Sequence, residues 1–132
     1  MIDLNDLKKV NDRHGHEAGD AAIKLVSRAL RNLFRVTDPL HHISGDEFIA
    51  VMPGGGPLDL VARMAKLDAA LLAQRLPGVH HPVDIHVAWG VEPYAADLRT
   101  AFARADQAMY EQKQRRKAGQ TGSDSFPSGA GP

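Results

Sequence analysis

The side chains best suited to chemistry in this 132-residue chain are three carboxylates in two places. Asp46 and Glu47 stand side by side in Ile43-Ser44-Gly45-Asp46-Glu47-Phe48-Ile49-Ala50-Val51-Met52, and Asp3 follows the apolar start Met1-Ile2. Gly45-Asp46 between apolar runs is hairpin chemistry, because Gly tolerates positive φ and Asp bonds its own backbone. Strand side chains alternate in direction, so Asp46 and Glu47 cannot both enter one core. Like charges this close repel unless a cation or water intervenes. Alone, Gly-Asp-Glu reads as a solvated turn. If the strand carrying Asp3 neighbours the hairpin, however, the three acids form an all-oxygen site. Mg²⁺ prefers such a site when it also holds phosphate oxygens.

The elements that must position these acids can be read in chain order. Residues 1–5 read as a buried strand, and Asp6 to Arg13 as a short helix. The pairs Gly15-His16 and Gly19-Asp20 are expected to break that helix and start the next. From Ala21 to Arg35 the apolar residues Ala22, Ile23, Val26, Ala29, Leu30, Leu33 and Phe34 fall at helical spacing. Asp38-Pro39 ends the helical region, and the hairpin follows. Leu58 to Leu76 reads as a second amphipathic helix with Val61, Met64, Leu67, Leu71 and Leu72 on its core face, stopped by Pro77-Gly78. Val83 to Trp89 alternates as a half-buried strand. Asp97 is the expected N-cap of a last helix, Leu98 to about Lys117. Residues 118–132, rich in Gly and Ser, read as a disordered tail. The order implies an α+β, ferredoxin-like plan: a central, mostly antiparallel sheet with helices packed on it.

Composition narrows the function. Net charge is zero, so bulk electrostatics give no sign of nucleic-acid or membrane-surface binding. There is no cysteine, which excludes disulfides, zinc–thiolate sites and thiol catalysis. The chain shows neither an apolar run of membrane-span length nor a signal-peptide pattern, so a cytoplasmic domain is expected. The seven histidines form no metal-ligand spacing.

Ser44-Gly45-Asp46-Glu47-Phe48 resembles the signature of GGDEF domains, the diguanylate cyclases. The upstream run Asp3…Lys8…Asn11-Asp12…Gly15-His16…Gly19-Asp20 matches the family's other main block at the expected distance. The resemblance covers residues 1–117. It implies a sheet related to the palm of nucleotide cyclases and polymerases, and a signalling enzyme that condenses two GTP into cyclic di-GMP with release of pyrophosphate. In that reaction a ribose 3′-hydroxyl attacks an α-phosphate, with divalent cations, Mg²⁺ or Mn²⁺, offsetting the charge. By resemblance, Asp3 and Asp46 are metal carboxylates and the Leu4 carbonyl is a further ligand. Glu47 is either a ligand or the group that helps deprotonate the hydroxyl. Asn11 and Asp20 match the guanine-binding residues. That role suits them, since the guanine N1–H and N2–H₂ edge donates to a carboxylate. Leu7 stands where the family usually has Phe in the substrate site.

Backbone N–H groups at the start of the Asp6 helix can hold phosphate. Lys113, in Ala105-Asp106-Gln107-Ala108-Met109-Tyr110-Glu111-Gln112-Lys113, matches a phosphate-binding lysine, and Lys117 stands where arginine is usual. Arg35-Val36-Thr37-Asp38 lies ahead of Ser44 at the spacing of the family's inhibitory site for cyclic di-GMP. Arg pairs bidentately with phosphate or a guanine edge there, and Asp accepts from guanine. Catalysis in the family needs two domains facing each other, so a homodimer is expected. Asn5 replaces a common second acid, Ser44 the first Gly, and His42 a common Arg. Family domains carry a helix before the strand of Asp3, and a strand after the last helix, which this sequence does not show. That truncation, with Arg35 and Asp38 retained, keeps a second expectation open: a catalytically silent receptor or scaffold that binds GTP or cyclic di-GMP.

Overall fold

The structure, a computed structural model, describes residues 1–93 and 97–124. In chain order the elements are β1 (Ile2–Leu4), α1 (Leu7–His14), α2 (His16–Leu33), β2 (Leu40–Ser44), β3 (Glu47–Ala50), α3 (Pro57–Ala70), β4 (Val87–Trp89) and α4 (Leu98–Asp124). The strands form one sheet in the order β2-β3-β1-β4. Both β1 and β2 pair antiparallel with β3. This is the expected α+β plan with a central antiparallel sheet. The chain divides into two compact units, Met1–Val87 and Ala88–Pro132.

In the first unit, β1 is buried along its whole length. Ile2 lies directly opposite Phe48 in the β1–β3 ladder, and both are buried. Paired residues point to the same face, and Leu4 shares it at the period of two. Phe48, Leu4, Leu30, Met64, Leu67, Leu71 and Val26 are the largest fully buried side chains. Each contributes roughly 1.5–3 kcal/mol by leaving water. Helix α2 offers Ala18, Gly19, Ala22, Val26 and Leu30 as its buried stripe, a spacing that keeps one face inward.

Several boundaries differ from expectation. Gly15 alone separates α1 from α2: its φ of 90° breaks the helix, and its N–H donates to the Asn11 carbonyl at 2.8 Å. Gly19-Asp20 does not break the chain but lies inside α2. Helix α3 ends at Ala70, not Leu76. Beyond it, Gln74 and Val83 exchange backbone hydrogen bonds at 2.8 and 2.9 Å, and the Ile85 N–H donates to Leu71 at 2.9 Å. Ala73 takes a left-handed φ of 53°, and its N–H donates to the Asp84 carboxylate at 2.8 Å. These non-local bonds outcompete further helix. Val61 and Leu72, expected in the core, are exposed instead, while Met64, Leu67 and Leu71 are buried as expected. The expected strand from Val83 shrinks to Val87–Trp89.

In the second unit, Ala101, Ala105 and Met109 of α4 are buried. A side chain at Gly90 would collide with the Ala105 carbonyl and the Met109 amide, so only glycine fits there. Asp97 caps α4 as expected. Its carbonyl accepts from Ala101 at 3.1 Å, and its carboxylate accepts from the Arg99 N–H at 3.0 Å and from the Thr100 hydroxyl. Helix α4 runs on to Asp124, so helix continues into the segment expected to be tail. Residues 125–132 of that segment lie outside the described residues.

Candidate active site

The ladder between β1 and β3 brings the acids together. Asp3 lies directly opposite Glu47, which puts both side chains on the same face of the sheet. That face is opposite to the one holding Ile2, Leu4 and Phe48, because strand side chains alternate. Asp46 sits in the turn just before Glu47, and its carbonyl accepts the Leu4 N–H at 2.9 Å. Asp3 is buried, while Asp46 and Glu47 are half-buried. The Ser44 hydroxyl donates to Glu47 Oε2 at 3.4 Å.

The donor set can be tested against the implied ion. Among the described residues, no three His, Cys, Asp or Glu side chains form a ready-made cage. Carboxylates on adjacent strands do suit Mg²⁺, which takes one or two protein carboxylates and completes its shell with water and substrate phosphate. The residues therefore fit a cation that arrives with a nucleotide.

A second cluster lies at the start of α2. A side chain at Gly19 would overlap the Asn11 amide, so Asn11 of α1 rests on the bare backbone next to Asp20. Asn11 is half-buried and Asp20 exposed. The helix pair thus packs Asn11 against Gly19, and Asp20 is the next residue along α2. Asp20 is no helix cap, since α2 already starts at His16. Leu7, the first residue of α1, is half-buried. Lys113 and Lys117 lie one turn apart on α4, in the second unit, the first half-buried and the second exposed.

Arg35 and Asp38 close a tight turn. The Asp38 N–H donates to the Arg35 carbonyl, and the Arg35 N–H to Asp38 Oδ2, each at 2.9 Å. Asp38 is buried at 7% exposure. Its ion-pair partner is Arg63 of α3, at 3.2 Å. The Arg63 guanidinium also meets Asp59 at 3.1 Å and lies 5.7 Å from the Phe34 ring centre. Arg63 is the residue that reading the sequence missed. Its only local signal is an acid one helical turn earlier, Asp59, and nothing in the spacing ties it to Asp38.

Comparison with known proteins places the fold in a family. A family model described as "Diguanylate cyclase, GGDEF domain" matches residues 1–119. Diguanylate cyclase DgcS of Shewanella oneidensis is 39% identical over 115 residues, covering 86% of this chain and 38% of that protein. The GGDEF domain of YfiN (TpbB) from Pseudomonas aeruginosa superposes with a TM-score of 0.75 at 31% identity, over 86% of this chain and 73% of that one. The GGDEF domain of DgcB from Caulobacter crescentus, solved in complex with c-di-GMP, shares the fold with a TM-score of 0.77 at 21% identity, over 86% and 69%. The chain belongs to the GGDEF family of diguanylate cyclases. It spans only 14% to 38% of the length of the curated relatives it matches. Among the described residues no helix is long and apolar enough to cross a membrane.

Proposed function

We propose that this chain is a diguanylate cyclase catalytic domain acting in the cytoplasm, converting two GTP into cyclic di-GMP and two pyrophosphates. The observation that carries the reading is the β1–β3 register, which sets Asp3 opposite Glu47 and ties Leu4 to Asp46. Asp3, Asp46, Glu47 and the Leu4 carbonyl would hold Mg²⁺ or Mn²⁺. The ion, when bound, offsets negative charge on the triphosphate and at the reacting phosphorus. Asn11 and Asp20 hold the guanine, Leu7 borders it, and Lys113 and Lys117 hold phosphate. Glu47 stands at the site of reaction, able to help accept the 3′-hydroxyl proton as the oxygen bonds to the α-phosphate and pyrophosphate leaves. Two copies, each with one GTP, supply the two attacks. Arg35 and Asp38 form a site for the product, and its occupancy lowers turnover.

Product analysis with GTP and Mg²⁺, on this chain and on one extended at its N-terminus, tests the reading. Cyclic di-GMP should form, and Asp46→Ala should lower the rate by about 10²-fold or more with little change in thermal stability. No product from either chain at any concentration would overturn it. The exposed Arg35, in the turn it shares with Asp38, also favours a second reading, a receptor for cyclic di-GMP without turnover. Calorimetric binding that is lost in Arg35→Ala, with no product formed, would select it.

A further inference from the structure

We infer that His42 is a positioning residue: its ring locks the peptide before Asp46 in one of two accessible orientations and so aims the Asp46 carboxylate. The inference rests on the cyclase reading only for its functional consequence. The ring Nε2 of His42 lies 2.8 Å from the Gly45 carbonyl. A carbonyl only accepts, so Nε2 carries the proton and donates. The same ring stacks on Phe48, with centroids 4.6 Å apart and planes 15° from parallel. Phe48 is fully buried, so the stack fixes the imidazole before it meets the turn.

The Gly45 carbonyl belongs to the peptide that joins Gly45 to Asp46. The peptide that follows Asp46 is held separately, by the Leu4 N–H on the Asp46 carbonyl at 2.9 Å. Asp46 is therefore pinned on both sides, by the main chain of β1 on one and by the His42 side chain on the other. Only the pin made by His42 depends on a side chain. Gly45 has a φ of 26°, and glycine can turn its peptide over at small steric cost. The ladder slips between His42 and Ser44, which brings Ser44 opposite Glu47. A bulged turn of this kind has more than one backbone solution. His42 selects among them. The hydrogen bond is exposed, so water competes for it, and the stack on Phe48 is what keeps it made.

The experiment compares wild type with His42→Phe, which keeps a stacking ring but no donor, and with His42→Gln, which restores a donor. Amide NMR of the whole chain should show one set of Gly45 and Asp46 signals in wild type. His42→Phe should show a second or broadened set, and His42→Gln should recover most of the single set. Mn²⁺–GTP affinity, followed by the electron paramagnetic resonance of the ion, should fall about three- to tenfold in His42→Phe, the worth of one net hydrogen bond. It should be largely restored in His42→Gln. Unchanged Gly45 and Asp46 signals in a folded His42→Phe chain overturn the inference. So do split signals that leave Mn²⁺–GTP affinity intact. If wild type itself binds no Mn²⁺–GTP while the signals split as expected, the cyclase reading fails and the lock on the turn stands.

Discussion

Replacing Gly19 by alanine would push a methyl group into the Asn11 amide. Helix α2 would gain from the change, since alanine is favoured over glycine inside a helix by about 1 kcal/mol, and this offsets part of the crowding. Stability should therefore move little while the Asn11 side chain is displaced. We expect KM for GTP to rise about tenfold, the cost of one good hydrogen bond to a base edge, with kcat close to wild type. Steady-state kinetics beside a thermal melt checks this, and an unchanged KM would remove Asn11 from the guanine site. At this scale the meeting of Asp3 with Glu47 across two strands was legible. Asp3, Asp46, Glu47, Asn11 and Asp20 carry chemistry in their types and spacing. Arg63 was not legible, because it reaches Asp38 across 25 positions of sequence, and no local pattern encodes that meeting.

Among the elements, the strands that frame the acids follow from their alternation, and the hairpin from its glycine. The end of α3 does not. Leu71 and Leu72 prolong its apolar pattern, and only the pairing of Gln74 with Val83 shows why the chain leaves the helix. Gly19 misleads in the opposite direction: it looks like a breaker but serves as a gap for Asn11. The start of α4 depends on acid. The Asp97 carboxyl is held below its ordinary 3.8, first by the Thr100 hydroxyl, then by the Thr100 N–H and more weakly by that of Arg99. A carboxyl depressed in the folded state contributes fully above its unfolded value and loses that contribution as pH falls through the folded one. Hydrogen-exchange protection at Arg99 and Thr100 should thus hold at pH 5 and decline below about 3.8. In Asp97→Asn that acid dependence should vanish.

For the molecule as a whole, the proposed reaction needs two copies, because each ribose hydroxyl attacks the nucleotide carried by the other. Initial rate at saturating GTP should rise faster than the first power of protein concentration until a dimer forms, then become proportional. Assays across a hundredfold dilution series would show it, and strict proportionality throughout would argue against an associating catalyst. The left-handed backbone at Ala73 bears on a different property, tolerance of heat. A residue with a Cβ costs roughly 1–2 kcal/mol there, and glycine costs almost none. After allowing for the extra freedom glycine gives the unfolded chain, Ala73→Gly should raise the melting temperature by a few degrees. The bend that follows α3 is thus a place where the chain has thermal endurance in reserve.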